Sequence, residues 1–194
     1  MKVGLYFGSF NPIHLGHLII ASYLYEHSDL DEVWFVVSPH NPLKSKSTLL
    51  EDHHRLEMVF KAVEDYQYLN VSDIEFKLAK PSYTVDTLVN LKEKYENYEF
   101  ILIMGQDNLT HLHKWKNYKV LLEDYELMVY PRITGEKVPS EYINHPRVHF
   151  LKAPIIELSS SAIRKDVFDK KSVRAYMPQS SWEYLDRMNF YKPK

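Results

Sequence analysis

Runs of almost unbroken apolar residues recur along the chain at positions 2–7, 33–37, 100–104, 126–130 and 148–151, each too short for a helix. A strand that is apolar on both sides must meet protein on both sides, as in a parallel sheet covered by helices on both faces. Stretches of helical period lie between the runs: Leu15, Leu18, Ile19 and Tyr23, then Leu56, Val59, Phe60 and Val63 within residues 52–66. A helix is also expected over residues 82–95, a short one over 108–115, and a weaker strand over 71–74. This alternation predicts an α/β fold, a doubly wound and mainly parallel sheet. No linker or repeat interrupts it, so one domain over residues 1–194 is expected, its carboxyl-terminal portion, about 159–194, being helical.

Composition narrows the chemistry. The 194 residues include no cysteine, which excludes disulfides, thiol nucleophiles and thiolate zinc sites. Lys and Arg number 24 against 26 Asp and Glu, a net charge of −2, which argues against nucleic-acid or membrane-surface partners. The first residues lack the features of a secretion signal, and no stretch reaches the roughly 20 apolar residues of a bilayer span, so a cytoplasmic setting is expected. The five glycines form neither a G-x-G-x-x-G pattern nor a P-loop. Any nucleotide must therefore bind by another route.

Ligands of such sheets lie beyond the carboxyl ends of the strands, which selects the loops after Phe7, Val37, Met104 and Leu151. In the first, Gly8-Ser9-Phe10-Asn11-Pro12-Ile13-His14-Leu15-Gly16-His17, glycine permits close approach of the backbone and the helix start attracts anions. His14 and His17, three residues apart, share one face there and can donate to phosphate oxygens; surface histidines or a partial metal site are the plainer alternatives. In Leu158-Ser159-Ser160-Ser161-Ala162-Ile163-Arg164, hydroxyls and N–H groups can grip a phosphate beside Arg164, or Ser159 can simply cap a helix. Trp115 offers a face for ring stacking or belongs to the core, and Asp107 orients a ribose or a metal or caps a helix. His53-His54 and His111-x-His113 lack a third ligand and read as surface histidines.

The string from Gly8 to His17 resembles the signature of nucleotidyltransferases with a His-x-Gly-His motif, and Leu158 to Arg164 resembles their second motif. Three further strings resemble those of nicotinate mononucleotide adenylyltransferases: Ser82-Tyr83-Thr84-Val85-Asp86-Thr87-Leu88, Gly105-Gln106-Asp107 followed by Leu112, Trp115 and Lys116, and Arg55-Leu56-Glu57-Met58. The resemblance implies a Rossmann-like sheet and attack by nicotinate mononucleotide on the α-phosphate of ATP. His14, His17, Lys44 and Arg164 would be catalytic. Gly8, Ser9, Phe10, His17, Gly105, Asp107, Ser159, Ser160, Ser161 and Arg164 would bind ATP, and Tyr83, Thr84, Trp115 and Lys116 the acceptor. Mg²⁺ would be held mainly by ATP phosphates and water, with no protein ligand. The partners would be these small molecules, with a homo-oligomer left open.

The chain departs from the family at Asn11, where Asp is usual, at Leu43, where His is frequent, and at Ser181, where an apolar residue is usual. Residues 131–149 match nothing. Two alternatives stay open on sequence: a related adenylyltransferase acting on nicotinamide mononucleotide, 4′-phosphopantetheine or a polyol phosphate, and a non-catalytic nucleotide-sensing module.

Overall fold

A computed structural model describes residues 1–39, 49–133 and 135–193. Six strands form one sheet: β1 (Lys2–Gly8), β2 (Glu32–Val37), β3 (Leu69–Ser72), β4 (Glu99–Gly105), β5 (Glu126–Tyr130) and β6 (Val148–Phe150). Their order is β3-β2-β1-β4-β5-β6 and every pairing is parallel. The chain winds outward from β1 in one direction and then from β4 in the other, so the order reverses between these two central strands. That reversal opens the crevice in which a doubly wound sheet binds its ligand.

The helices are α1 (Leu15–Glu26), α2 (Asp52–Val63), α3 (Thr84–Lys94), α4 (Gln106–Thr110), α5 (Tyr118–Asp124), α6 (Ser140–Ile143), α7 (Ser160–Phe168) and α8 (Gln179–Arg187). Alternating strand residues feed two cores. Tyr6, Ile101 and Ile103 face α1, α2, α7 and α8 through Leu18, Met58, Ile163 and Leu185. Val3, Leu5 and Leu102 face α3, α4 and α5 through Leu88, Leu109 and Leu121. No described helix is long and apolar enough to cross a membrane.

The expected strand at 71–74 lies two residues earlier, because pairing with β2 sets Val33 opposite Leu69 and Val36 opposite Ser72, after which Ile74 begins a 3-10 turn. The helical stretch expected at 108–115 is α4 followed by a 3-10 turn, Leu112–Lys114. Ser181, unusual for a core position, is buried with its hydroxyl donating to the Met58 carbonyl at 2.6 Å, so α8 stays docked on α2 without an unsatisfied polar group.

Candidate active site

The loop leaving β1 is fastened by side chains that arrive from later in the chain. Gly8 permits its tight entry, since a Cβ there would stand 2.7 Å from the ring of Phe10. Phe10 itself takes a left-handed backbone, φ 43°, and is buried. The Ser9 carbonyl accepts from Arg55 Nη1 at 2.6 Å, the Asn11 carbonyl from Arg164 Nη1 at 2.7 Å, and the Pro12 carbonyl from the Ser160 hydroxyl at 2.8 Å. Arg55 is wholly buried and also binds the carbonyls of Ser38, Pro39 and Leu50 and the carboxylate of Asp52. Desolvation lowers its pKa, while the Asp52 carboxylate opposes that shift and compensates the charge. One guanidinium thus joins the loops after β1 and β2.

His14 caps α1 with extended backbone, and its N–H donates to Nδ1 of His17 at 3.2 Å. An Nδ1 that accepts leaves the proton of the neutral ring on Nε2, so Nε2 is the donor of His17. The two rings stack with centroids 3.7 Å apart and planes at 24°. Phe10 meets the His17 ring edge-on at 5.1 Å and Tyr6 at 5.9 Å, which restricts its orientation. His14 is buried, and its Nδ1 has no hydrogen-bond partner among the described residues. Burial first, and the Arg132 charge second, lower its pKa to about 4. His14 is neutral at physiological pH. The expected His14–His17 pair thus stands with its rings stacked at the start of α1.

The amino end of α7 comes to the same loop. Ser159 caps the helix by accepting from the Ala162 N–H, Ser160 binds Pro12, and the Ser161 oxygen accepts from Arg164 Nη2 at 3.2 Å. These hydroxyl oxygens are engaged within the protein, so what this end of α7 can offer an anion is the N–H groups of Ser160 and Ser161 and the Arg164 guanidinium. At the end of β4 a Cβ on Gly105 would stand 2.3 Å from Oδ1 of Asp107, so glycine leaves room for that carboxylate.

A further cation completes the cleft. Arg132, just beyond β5, lines it with Tyr6, His14, His17, Tyr130 and Ile156, and donates to the Ile156 carbonyl at 3.1 Å. The sequence does not single out Arg132, because it falls in the unmatched 131–149 stretch. The strand-end rule points to it once β5 is recognised as lying beside β4.

On the opposite face, Tyr83 precedes α3 and Thr84 is its first residue. Lys116 Nζ sits 4.6 Å from the Tyr83 ring centroid and 2.9 Å from Asp86, while Trp115 and Tyr83 both pack against the second core. The four acceptor residues inferred from sequence thus gather around the start of α3. Glu75, buried nearby, accepts from Thr87 at 2.8 Å and fixes that helix start. Lys44 lies outside the described residues.

Among the described residues one potential metal-binding cluster occurs, Glu51, His53 and His54. Glu51 thus stands as the third group that the sequence reading of His53-His54 lacks; His54 Nδ1 is 2.9 Å from the Tyr184 hydroxyl and His53 Nδ1 lies 3.5 Å from Glu51.

Comparison with known proteins finds relatives over nearly the whole chain. Residues 5–166 match the cytidylyltransferase-like family. The chain is 57% identical over 192 residues to a probable nicotinate-nucleotide adenylyltransferase of Flavobacterium johnsoniae, covering 99% of this chain and 100% of that one. It is 55% identical, with the same coverage, to the corresponding protein of Flavobacterium psychrophilum. The structure of Plasmodium falciparum nicotinic acid mononucleotide adenylyltransferase complexed with NaAD superposes with a TM-score of 0.82, covering 98% of this chain and 97% of that one at 22% identity.

Proposed function

Because the chain belongs to the cytidylyltransferase-like family and, within it, to the nicotinate-nucleotide adenylyltransferases, we propose that the loop from Gly8 to His17 and the start of α7 together hold the triphosphate of ATP. The enzyme transfers the adenylyl group of ATP to nicotinate mononucleotide, releasing pyrophosphate and forming nicotinate adenine dinucleotide, a step of NAD biosynthesis. The acceptor's 5′-phosphate is already an anion at neutral pH. Its oxygen attacks the α-phosphorus, the bond to the bridging oxygen breaks, and pyrophosphate leaves with the electron pair. No proton has to be removed, so catalysis reduces to in-line alignment and stabilisation of negative charge.

In this reading His17 donates from Nε2, His14 is its neutral neighbour, and Arg164 and Arg132 supply fixed positive charge on two sides of the cleft. Lys44 is assigned to the same phosphates on its sequence context. Main-chain groups of Gly8, Ser9 and Phe10, with Gly105 and Asp107, would hold the nucleoside, and the first turn of α7 at Ser159, Ser160 and Ser161 a phosphate. Imidazoles and guanidiniums, rather than a carboxylate cage, surround the cleft, which fits a Mg²⁺ held by phosphate oxygens and water with Asp107 nearby; when bound it would neutralise charge on the departing pyrophosphate.

The acceptor ring is assigned to Trp115 and Tyr83. No side chain among the described residues caps the start of α3, so its first N–H groups beside Thr84, with Lys116, favour a ring carboxylate over a carboxamide. A cytoplasmic setting and small-molecule partners accompany this assignment, with a homo-oligomer left open. The observation that carries it is the stacked His14–His17 pair on the loop whose Asn11 carbonyl is held by Arg164. Pyrophosphate release measured with ATP and a panel of acceptors tests it. Nicotinate mononucleotide should be turned over with the highest kcat/KM, ahead of nicotinamide mononucleotide and 4′-phosphopantetheine. Preference for either of the others would overturn the acceptor assignment.

A further inference from the structure

Asn11 is the point at which four parts of the chain meet. Its carbonyl accepts from Arg164 of α7. Its side-chain Oδ1 accepts from the Leu50 N–H at 3.2 Å and from the Tyr191 hydroxyl at 2.6 Å. Asn11 is buried, so the accepting oxygen is largely shielded from competing water. Leu50 is fixed in turn by its carbonyl, which binds Arg55, the residue that also holds Ser9.

Tyr191 reaches this loop across 180 positions of sequence, and its backbone is shaped to do so. Both Asn189 and Tyr191 adopt left-handed conformations, φ 54° and 62°, which non-glycine residues enter at a cost. The turn is pinned by the Phe190 N–H donating to the Leu185 carbonyl at 3.2 Å, by the Phe190 ring 4.6 Å from that of His54, and by Lys192 Nζ bonding Asp186 and Asn189 at 2.9 Å. Strained backbone held by its surroundings clusters where a side chain must be aimed. What is aimed here is the Tyr191 hydroxyl, at the acceptor atom of the residue whose carbonyl orients Arg164.

We propose that Tyr191 is a positioning residue for adenylyl transfer: by hydrogen-bonding Asn11 it fixes the turn that presents His14 and His17 and the carbonyl that orients Arg164. The carboxyl-terminal turn is then part of the machinery of a site built mostly from the first strand and α7. Asn11 in this chain acts as a neutral acceptor hub, which leaves the charge of Arg164 for the ligand. The inference rests on the assignment of the triphosphate to this loop.

The test is a double-mutant cycle on the full chain with Tyr191→Phe, Asn11→Ala and both together, measuring pyrophosphate release, the KM of each substrate and Tm. Tyr191→Phe keeps the ring and removes one hydroxyl, so the fold is retained. Loss of one buried hydrogen bond should lower kcat about 5- to 10-fold, with the KM for nicotinate mononucleotide unchanged. In the Asn11→Ala background Tyr191→Phe should have no further effect, because the atom it acts through is gone. Wild-type kcat for Tyr191→Phe, a loss in Tm alone, or effects that multiply in the double variant would overturn the proposal. Titration of wild type and Tyr191→Phe with a non-hydrolysable ATP analogue reads the loop without the reaction. A severalfold weaker Kd supports the proposal whatever acceptor the enzyme prefers, and an unchanged Kd contradicts it.

Discussion

The main-chain N–H of His14 donates to Nδ1 of His17 at 3.2 Å while the two rings stack 3.7 Å apart, so His14 orients the His17 ring. His17 presents Nε2–H as its donor, and His14, buried behind it, cannot easily take a proton. Under the proposed function, charge for the triphosphate comes from Arg164 and Arg132, and the imidazoles contribute directed hydrogen bonds. On that proposal a protein of net charge −2 holds a highly anionic ligand through locally placed cations.

His14 carries a pH signature. Its pKa is lowered from 6.5 to about 4, so between those values the unfolded chain takes up a proton that the folded chain refuses. Its contribution to stability is complete above about pH 6.5 and is lost as pH falls toward 4, by at most about 3 kcal/mol. Urea unfolding of wild type and His14→Gln across this range should show a difference that shrinks with falling pH, and the His14 ring should titrate by NMR near pH 4. Titration near 6.5 would contradict the burial argument.

Arg132→Ala tests the cation that the sequence does not single out. Removing a charge-assisted contact should raise the ATP KM or lower kcat so that kcat/KM falls at least 10-fold. Because the Arg132 charge contributes to holding His14 down, the same substitution should move the His14 titration upward. An unchanged His14 midpoint would separate Arg132 from the imidazole pair.

Arg55 is predicted to matter for stability before catalysis. Arg55→Met would leave the carbonyls of Ser9, Ser38, Pro39 and Leu50 and the Asp52 carboxylate without their buried partner, at a cost of about 3–5 kcal/mol. For a chain of this size that lowers Tm by roughly 10 °C, measurable by calorimetry. A change within 2 or 3 °C would mean that the loops hold without it.

The sheet is legible because its strands are apolar on both sides, and the strings 8–17 and 158–164 because their residues are contiguous. The short helix α5 is hard to read from sequence, since Tyr118 to Asp124 spans barely two turns and is too short to show a helical period. The roles of Arg55 and Asn11 escaped for another reason. An arginine on an amphipathic helix reads as solvated until the fold closes carbonyls around it, and an asparagine before proline reads as turn chemistry until a tyrosine 180 residues away arrives at its side chain. Arg132 was hidden because its only signal is the strand it follows. Contacts made across the topology leave little trace in local pattern.

The most direct measurement is the rate of pyrophosphate release by His17→Ala with saturating ATP and nicotinate mononucleotide. Loss of a donor aimed at the reacting phosphates should lower kcat about 10²- to 10³-fold, with Tm close to wild type. Turnover within about 3-fold of wild type from a folded variant would contradict the placement of the triphosphate on this loop.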